Sequence, residues 1–413
     1  MASRTVRPPR LVALLGPAFV ASVAYVDPGN VAANLTAGSR YGYALVWVLV
    51  VASLMAMVIQ YQSAKLGLVT GRTLPQVMQD RLADKPWRGP VGLAYSLQAF
   101  VMSVATDIAE VVGGALALWL LFGTPLWLGG IIVGVVAVAL LAVLRLRGEK
   151  TFEVAVAGVL LIIALGFLGS LSWVPVDWPA TLAGVRPSVP DSDAWPLIAA
   201  MLGATVMPHA IYLHSALAID RHQPRADERH RLPHLLRAQK LDVGLALLAS
   251  GSVNVGMLLL AAAGLQGLEG DAIQVAHHQL RTDLGWWPSV VFGVGLLASG
   301  VGSAVVGTHA GAQILKDLTR FRHSPMLRRL LTIGPAVLLL TLGIPPTAVL
   351  VWSQVVLSFG IALAAAPLAR FTADRRLMHE HTDAPWLVVV NGVIVTTLIG
   401  LNLVVLWWVL TGA

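Results

Sequence analysis

Two of the hydrophobic segments of this 413-residue chain are interrupted at matching places. Asp27-Pro28-Gly29-Asn30 breaks the first apolar stretch, and Met207-Pro208-His209 breaks the sixth. Proline removes a donor from the helical ladder and disfavours helical geometry at the residue before it, and in hydrocarbon the carbonyls so released need another partner. Such breaks persist where they line a binding cavity. Asp27 and Met207 lie 180 residues apart, close to the offset between the starts of the two halves of the chain, which is the pattern of a transporter built from structural repeats. The chain reads as a membrane transporter for a cation.

Composition sets the class independently. Hydrophobic residues make up 57% of the chain and charged residues only 12%, with a mean hydropathy of +0.76, too little polar surface for a soluble globular protein. Eleven apolar stretches long enough to cross a bilayer fall near 11–39, 43–69, 90–119, 125–144, 154–173, 194–219, 241–264, 286–315, 329–344, 346–369 and 385–411. The pair around Ile344-Pro345-Pro346 is the hardest to divide, because a short turn between apolar runs leaves them looking continuous. With the N-terminus inside, 25 of the 28 Lys and Arg residues face the cytoplasm, and only Arg40, Arg186 and Arg281 lie outside. An odd number of spans then places the C-terminus outside. The same topology explains a pI near 10 without nucleic acid, leaving the lipid bilayer as the surroundings that the excess charge addresses.

The absences narrow the chemistry. With no cysteine there is neither a disulfide nor a thiolate ligand, so any soft sulfur donor is a methionine. The first apolar stretch contains the Asp27 to Asn30 break and no cleavage pattern follows it, so it reads as a retained span rather than a removable signal peptide. No Walker loop suggests ATP hydrolysis, no enzyme motif stands out, and neither a resident cofactor nor an obligate protein partner is implied. Transport is expected to run on gradients and membrane potential.

At the first break, Asp27 and Asn30 are three residues apart and can face one side, offering a carboxylate and an amide oxygen. The proline also frees the carbonyl of a preceding residue such as Ala24. A kink with a merely hydrogen-bonded Asp is the bland alternative, but an ionisable residue inside a span is costly enough to make a functional role the default. At the second break, the thioether of Met207 is a soft donor, suited to transition metals and a poor partner for Mg²⁺ or Ca²⁺. Methionine in a membrane usually only packs. Its place before a proline, at the repeat-equivalent position of Asp27, makes it a ligand candidate, with the Ala204 carbonyl beside it by the same logic as Ala24.

These residues resemble the natural resistance-associated macrophage protein (Nramp) family of divalent-metal transporters. The resemblance rests on Asp27-Pro28-Gly29-Asn30, on Met207-Pro208-His209 followed by Tyr212-Leu213-His214-Ser215, on Thr106-Asp107-Ile108-Ala109-Glu110, on Gly307-Thr308-His309-Ala310-Gly311 and on Ser353-Gln354-Val355-Val356-Leu357-Ser358, and so covers essentially the whole chain. It implies an all-α polytopic protein of eleven transmembrane helices with a leucine-transporter-type fold: one transporter domain, with inverted five-helix repeats over about 11–173 and 194–370, discontinuous helices 1 and 6, and an extra helix over about 385–411. It further implies bacterial inner-membrane import of Mn²⁺ or Fe²⁺, with Cd²⁺ and Co²⁺, coupled to protons. Asp27, Asn30 and Met207 would be side-chain ligands, Ala24 and Ala204 carbonyl ligands, and Gln354 a ligand in an occluded state. Ala210 departs from the family, which commonly has asparagine there; with Met207 kept, the change bears on hydrogen bonding around the site more than on metal choice.

Proton handling points to the third span. Asp107 and Glu110 share a face, and His209 sits two residues from the thioether with an unperturbed pKa near 6.5. The resemblance makes Asp107 the leading proton acceptor on a route with Glu110 and His209, aided by Arg328 or Arg329; a structural hydrogen-bond network is the alternative. Asn254 and His309 either line a pathway or bond a neighbouring helix. His277-His278 read as solvated surface, and His214 as a packing or capping residue. Two other functions remain open: a Mg²⁺ transporter of the same family, which should lack the methionine, and a sodium-coupled amino-acid transporter of the same fold, whose site a carboxylate and thioether suit poorly. A channel or sensor that binds metal without coupled turnover is a third.

Overall fold

The computed structural model describes residues 16–82, 86, 88–222, 231–268, 270–318 and 325–411, and among these all regular structure is helical. Among the described residues the helices form eleven spans. The first is split into Pro17–Ala24 and Pro28–Tyr41; the second is Val46–Thr70, the third Arg88–Phe122, the fourth Leu126–Leu146 and the fifth Glu149–Leu171. The sixth is split into Ala194–Thr205 and Pro208–His222, and Leu232–Gly264, Trp286–Leu318, Pro325–Thr341, Pro346–Thr372 and Pro385–Thr411 complete the set. Among the described residues nine of these are long and apolar enough to cross a membrane. The other two are the first, whose halves have 8 and 14 residues, and the ninth, with 17 residues and Pro335 inside.

Departures from the expected bounds have physical causes. The seventh helix begins at Leu232 rather than near 241, because Leu235-Leu236-Arg237-Ala238-Gln239-Lys240 are good helix formers that extend the coil beyond the apolar run. The ninth and tenth spans separate cleanly, with Gly343 at φ +72° in the turn and Pro346 in the first position of the next helix, where its missing N–H is no loss. Four short helices, Leu74–Leu82, Trp178–Ala183, Ala272–Leu284 and Arg375–Met378, escape an apolar window by length and polarity. Three of them announce themselves through an aspartate cap, at Asp177, Asp271 and Asp374.

Small residues let the spans approach closely. Gly300 of the eighth span lies on the backbone of Gly114 in the third, and Gly166 of the fifth lies on the backbone of Gly295 in the eighth, so a side chain at Gly300 or Gly166 would push the helices apart. The eleventh span is fastened to the tenth by a reciprocal pair, Asn402 Nδ2 to the Ser358 carbonyl and Ser358 Oγ to Asn402 Oδ1, each 3.1 Å. Between those spans the buried Asp383 pairs with Lys65 and accepts from Gln62 at 2.6 Å and Asn391 at 3.2 Å, anchoring the connection to the second span. The end at which the odd-numbered spans begin carries Arg72, Arg147, Arg221 and Arg375 and is the basic end of the bundle.

Candidate metal centre

The two prolines dictate which carbonyls are released. A helical carbonyl bonds the N–H four residues on; for Ala24 that residue is Pro28 and for Ala204 it is Pro208, and neither has an N–H. Each break thus frees the carbonyl of one alanine. After Ala24 the chain turns at Tyr25 and Val26, and Asp27 caps the next half-helix from an extended conformation (φ −68°, ψ 167°). Asp27 Oδ1 accepts from the Asn30 N–H and from Asn30 Nδ2, both at 2.8 Å. The same Nδ2 donates to the Ala204 carbonyl at 2.9 Å, so one amide ties the first break to the second.

Gln354 closes the centre from the tenth span, its Nε2 donating to Asp27 Oδ2 at 3.4 Å. Two glycines make room for it, one at each break. A Cβ at Gly29 would stand 1.8 Å from Gln354 Nε2, and one at Gly203 would stand 2.1 Å from the Gln354 carbonyl oxygen. Asp27 is 1% exposed, and Asn30, Met207 and Gln354 are fully buried. Asn30 Oδ1 and Gln354 Oε1 find no hydrogen-bond partner among the described residues. Orphaned oxygens beside a buried carboxylate are unfavourable by themselves and favourable around a cation. Among the described residues no group of three or more His, Cys, Asp or Glu could hold a metal, and the oxygens brought together at this point are those of one carboxylate, two side-chain amides and the Ala204 carbonyl.

The first break is braced from outside. Asn254 Nδ2 donates to the Tyr25 carbonyl at 2.8 Å while its Oδ1 accepts from Asn34 at 3.1 Å, so one seventh-span side chain bridges both halves of the first span. Ser299 of the eighth span takes the Val26 carbonyl at 2.5 Å. Asn254 therefore bonds helices together, the alternative to lining a pathway.

The third span meets the break at Gly113, where a side chain would collide with Pro28. Glu110 and Asp107 follow three and six residues back, within about 9 Å of helix rise, and both are buried. Glu110 lies against Gly307 of the eighth span. His209 Nδ1 is 3.3 Å from Thr106 Oγ1, next to Asp107 in sequence. Ala210 is buried with the rest of its turn. Arg328 and Arg329 fall on the ninth helix, but their side chains lie outside the described residues.

At the basic end the first half-span is tied to the seventh span. Asp242 accepts from the N–H groups of Gly16 at 3.0 Å and Ala18 at 2.9 Å, and Arg221 meets Glu153 at 3.5 Å. Above them runs a polar chain across four spans: Tyr25 OH with Gln60, Gln60 Oε1 to His214 Nδ1 at 2.6 Å, His214 Nε2 to Gln239 at 3.2 Å, and Gln239 to His222 at 3.4 Å. His214 is thus a network member rather than a packing residue. Gln60, Gln239, Asp242 and Ser299 were legible only as polar groups inside apolar runs, a signal that marks candidates without naming their partners. A cavity of about 250 Å³ opens at this end, lined among others by Phe152, Glu153, Asp220, Arg221 and His309. His309 stands there, 5.8 Å from the Phe152 ring, and not at the centre. His277 departs from expectation: it is buried while His278 is exposed, and burial, then the charges of Arg281 and His278, hold its pKa below the usual imidazole value.

Residues 18–408 match the family model described as natural resistance-associated macrophage protein-like. A divalent metal cation transporter MntH of Mycobacterium tuberculosis is 47% identical over 402 residues, covering 97% of this chain and 92% of that one. The MntH of Bacillus subtilis is 39% identical over 395 residues, covering 95% and 91%. The crystal structure of the Eremococcus coleocola manganese transporter, bound to an aromatic bis-isothiourea substituted compound, superposes with a TM-score of 0.85 at 27% identity, covering 97% of this chain and 88% of that one. MhsT in complex with L-phenylalanine, at a TM-score of 0.56, 15% identity and coverage of 94% and 98%, shares the fold alone. That fold is the leucine-transporter type, with discontinuous helices 1 and 6.

Proposed function

This chain belongs to the natural resistance-associated macrophage protein-like family, and from that premise we propose that it imports divalent transition-metal ions, Mn²⁺ and Fe²⁺ and with them Cd²⁺ and Co²⁺, across a bacterial inner membrane together with protons. The observation that carries this reading is the tie between the two breaks at one buried point: Asn30 Nδ2 joins Asp27 Oδ1 to the Ala204 carbonyl and Gln354 Nε2 reaches Asp27 Oδ2, and on this reading the buried Met207 and the Ala24 carbonyl complete the ligand set. The carboxylate supplies the charge that offsets dehydration of a divalent ion, and the thioether favours softer ions over Mg²⁺ and Ca²⁺. As metal arrives, Asn30 Nδ2 gives up the Ala204 carbonyl, and Gln354 turns its orphaned Oε1 inward.

The chain works as one transporter domain, with repeats over about 11–173 and 194–370 and the added helix 385–411. The basic end faces the cytoplasm, so the N-terminus lies inside and the C-terminus outside. Release then requires the Pro17–Ala24 half to leave Asp242 and the Arg221 and Glu153 pair to part. Asp107 accepts the coupled proton and passes it along Glu110 and His209, with Arg328 or Arg329 assisting. Alternating access around a midplane site follows from the broken-helix architecture.

The test is uptake into proteoliposomes under imposed voltage, comparing Mn²⁺, Cd²⁺, Mg²⁺ and Ca²⁺ for the native protein and Met207→Ala while internal pH is followed. The expected result is uptake of Mn²⁺ and Cd²⁺ with acidification, and discrimination against Mg²⁺ and Ca²⁺ that falls about tenfold, or ~1.4 kcal/mol, in the variant. Equal Mg²⁺ uptake by the native protein, or selectivity indifferent to Met207→Ala, would shift the reading to a Mg²⁺ transporter.

A further inference from the structure

We propose that Asp271, in the connection between the seventh and eighth spans, is a positioning residue for Gln354: it straps the outer end of the tenth span shut. Asp271 caps two helices at once. Its Oδ1 accepts from the Gln274 N–H of its own helix, Ala272–Leu284, at 3.2 Å. The same oxygen accepts from Thr347 Oγ1 at 2.5 Å, and Oδ2 accepts from the Thr347 N–H at 2.8 Å. Thr347 is the second residue of the tenth span, so a carboxylate 76 residues away in sequence satisfies one of the donors left open at that helix start, where the dipole also favours negative charge.

The register gives the strap its purpose. Thr347 and Gln354 are seven residues apart, two helical turns on one face, so Asp271 grips the tenth span about 10 Å outward of Gln354 on the side that Gln354 presents. The helix that Asp271 begins packs on Pro28–Tyr41, the half-span carrying Asn30, and on the eighth span. It therefore joins the elements holding opposite sides of the centre, Asp27 and Asn30 on one and Gln354 on the other. With Asp271 engaged, the tenth span is held against the first break and Gln354 Nε2 reaches Asp27. Released, the outer turns of the tenth span are free to swing away, and the centre opens outward.

The link from strap to metal rests on the function proposed above, but the strap itself can be read without any metal. The chain has no cysteine, so a single reporter meets no background. Leu350, between Thr347 and Gln354, is fully buried. In full-length protein in proteoliposomes, Leu350→Cys is expected to react slowly with a membrane-impermeant maleimide from outside. Asp271→Asn keeps the cap on its own helix, since asparagine caps as well as aspartate, but turns an amide donor or loses an acceptor toward Thr347. It should raise the labelling rate at least about tenfold, the loss of one hydrogen bond to a charged group. Thr347→Val should raise it in the same direction, and the double variant should exceed neither single by more than about twofold, as expected of two groups in one contact. Labelling unchanged by Asp271→Asn, or accelerated by it but not by Thr347→Val, would overturn the proposal and leave Asp271 as the cap of its own helix. A second arm adds Mn²⁺: slower labelling in the native background and weaker protection in Asp271→Asn join the strap to metal closure. No protection in either background, with the labelling results intact, would retain the strap and reject the metal reading.

Discussion

The two breaks occupy equivalent places in the chain yet are held in different ways. The first is charged and splinted: Asp27 caps the half-helix that follows, Asn254 and Ser299 take the carbonyls of Tyr25 and Val26, and Asp242 grips the start of the half-helix before it. At the second, Val206 closes the preceding half-helix through its own N–H to Leu202, the Thr205 hydroxyl has no partner among the described residues, and the Ala204 carbonyl leans on Asn30 of the first break. A thioether at Met207 cannot cap a helix as a carboxylate does. The difference suits a division of labour. On the function proposed above, the strong, fixed charge of Asp27 needs a rigid frame, whereas the weak neutral donor of Met207 would select among ions without one.

The contrast can be broken at several points. Asp27→Asn has the largest expected effect: the remaining ligands are neutral, so Mn²⁺ affinity by calorimetry should fall at least about 100-fold, or ~2.7 kcal/mol, while the cap survives and the protein stays folded. A divalent ion still bound tightly would mean that the charge of the site lies elsewhere. Next, Asn254→Leu leaves the Tyr25 carbonyl and the Asn34 amide unpaired, at about 1–3 kcal/mol in thermal denaturation. Its counterpart at the second break, Thr205→Val, removes a hydroxyl already without a partner and should be neutral or slightly stabilising. Equal losses at the two positions would erase the distinction between splinted and unsplinted breaks.

The glycines sharpen the comparison further. Gly203→Ala meets the backbone carbonyl of Gln354 and should destabilise by about 1–3 kcal/mol, because the tenth helix must move as a body. Gly29→Ala meets the Gln354 side chain, which can turn aside. It should therefore cost less stability, under about 1 kcal/mol, while raising the KM for metal through loss of the occluding group. Stability losses in the reverse order would place Gln354 differently between the breaks.

How much of this was legible differs from residue to residue. The spans, the breaks and the freed carbonyls of Ala24 and Ala204 follow from local rules, since a bilayer demands that each backbone group be satisfied within its own helix and proline cancels one bond at a known offset. Asp27, Asn30 and Met207 stand out because they flank the two prolines. Asn254 was visible as a polar residue in a span, but its choice between lining a pathway and bonding a helix was not, because Tyr25 lies 229 residues away. The network around His214 is invisible locally for the same reason: its partners Gln60 and Gln239 come from the second and seventh spans. His277 reads as surface in the sequence because a histidine pair in a polar stretch carries no mark of which neighbour the helix will bury.

The sequence by itself determined that the chain crosses a membrane, where its helices must lie and where two of them must break, because those outcomes depend on hydrophobicity and on backbone bonds only a few residues long. Tertiary structure alone decided which side chains meet across the bundle: Gln354 on Asp27, Asn30 on Ala204, Ser299 on Val26 and Asp271 on Thr347. Those pairings link residues 76 to 327 positions apart, and they arise only when glycines such as Gly29 and Gly203 let the helices pack closely enough for short polar side chains to reach across.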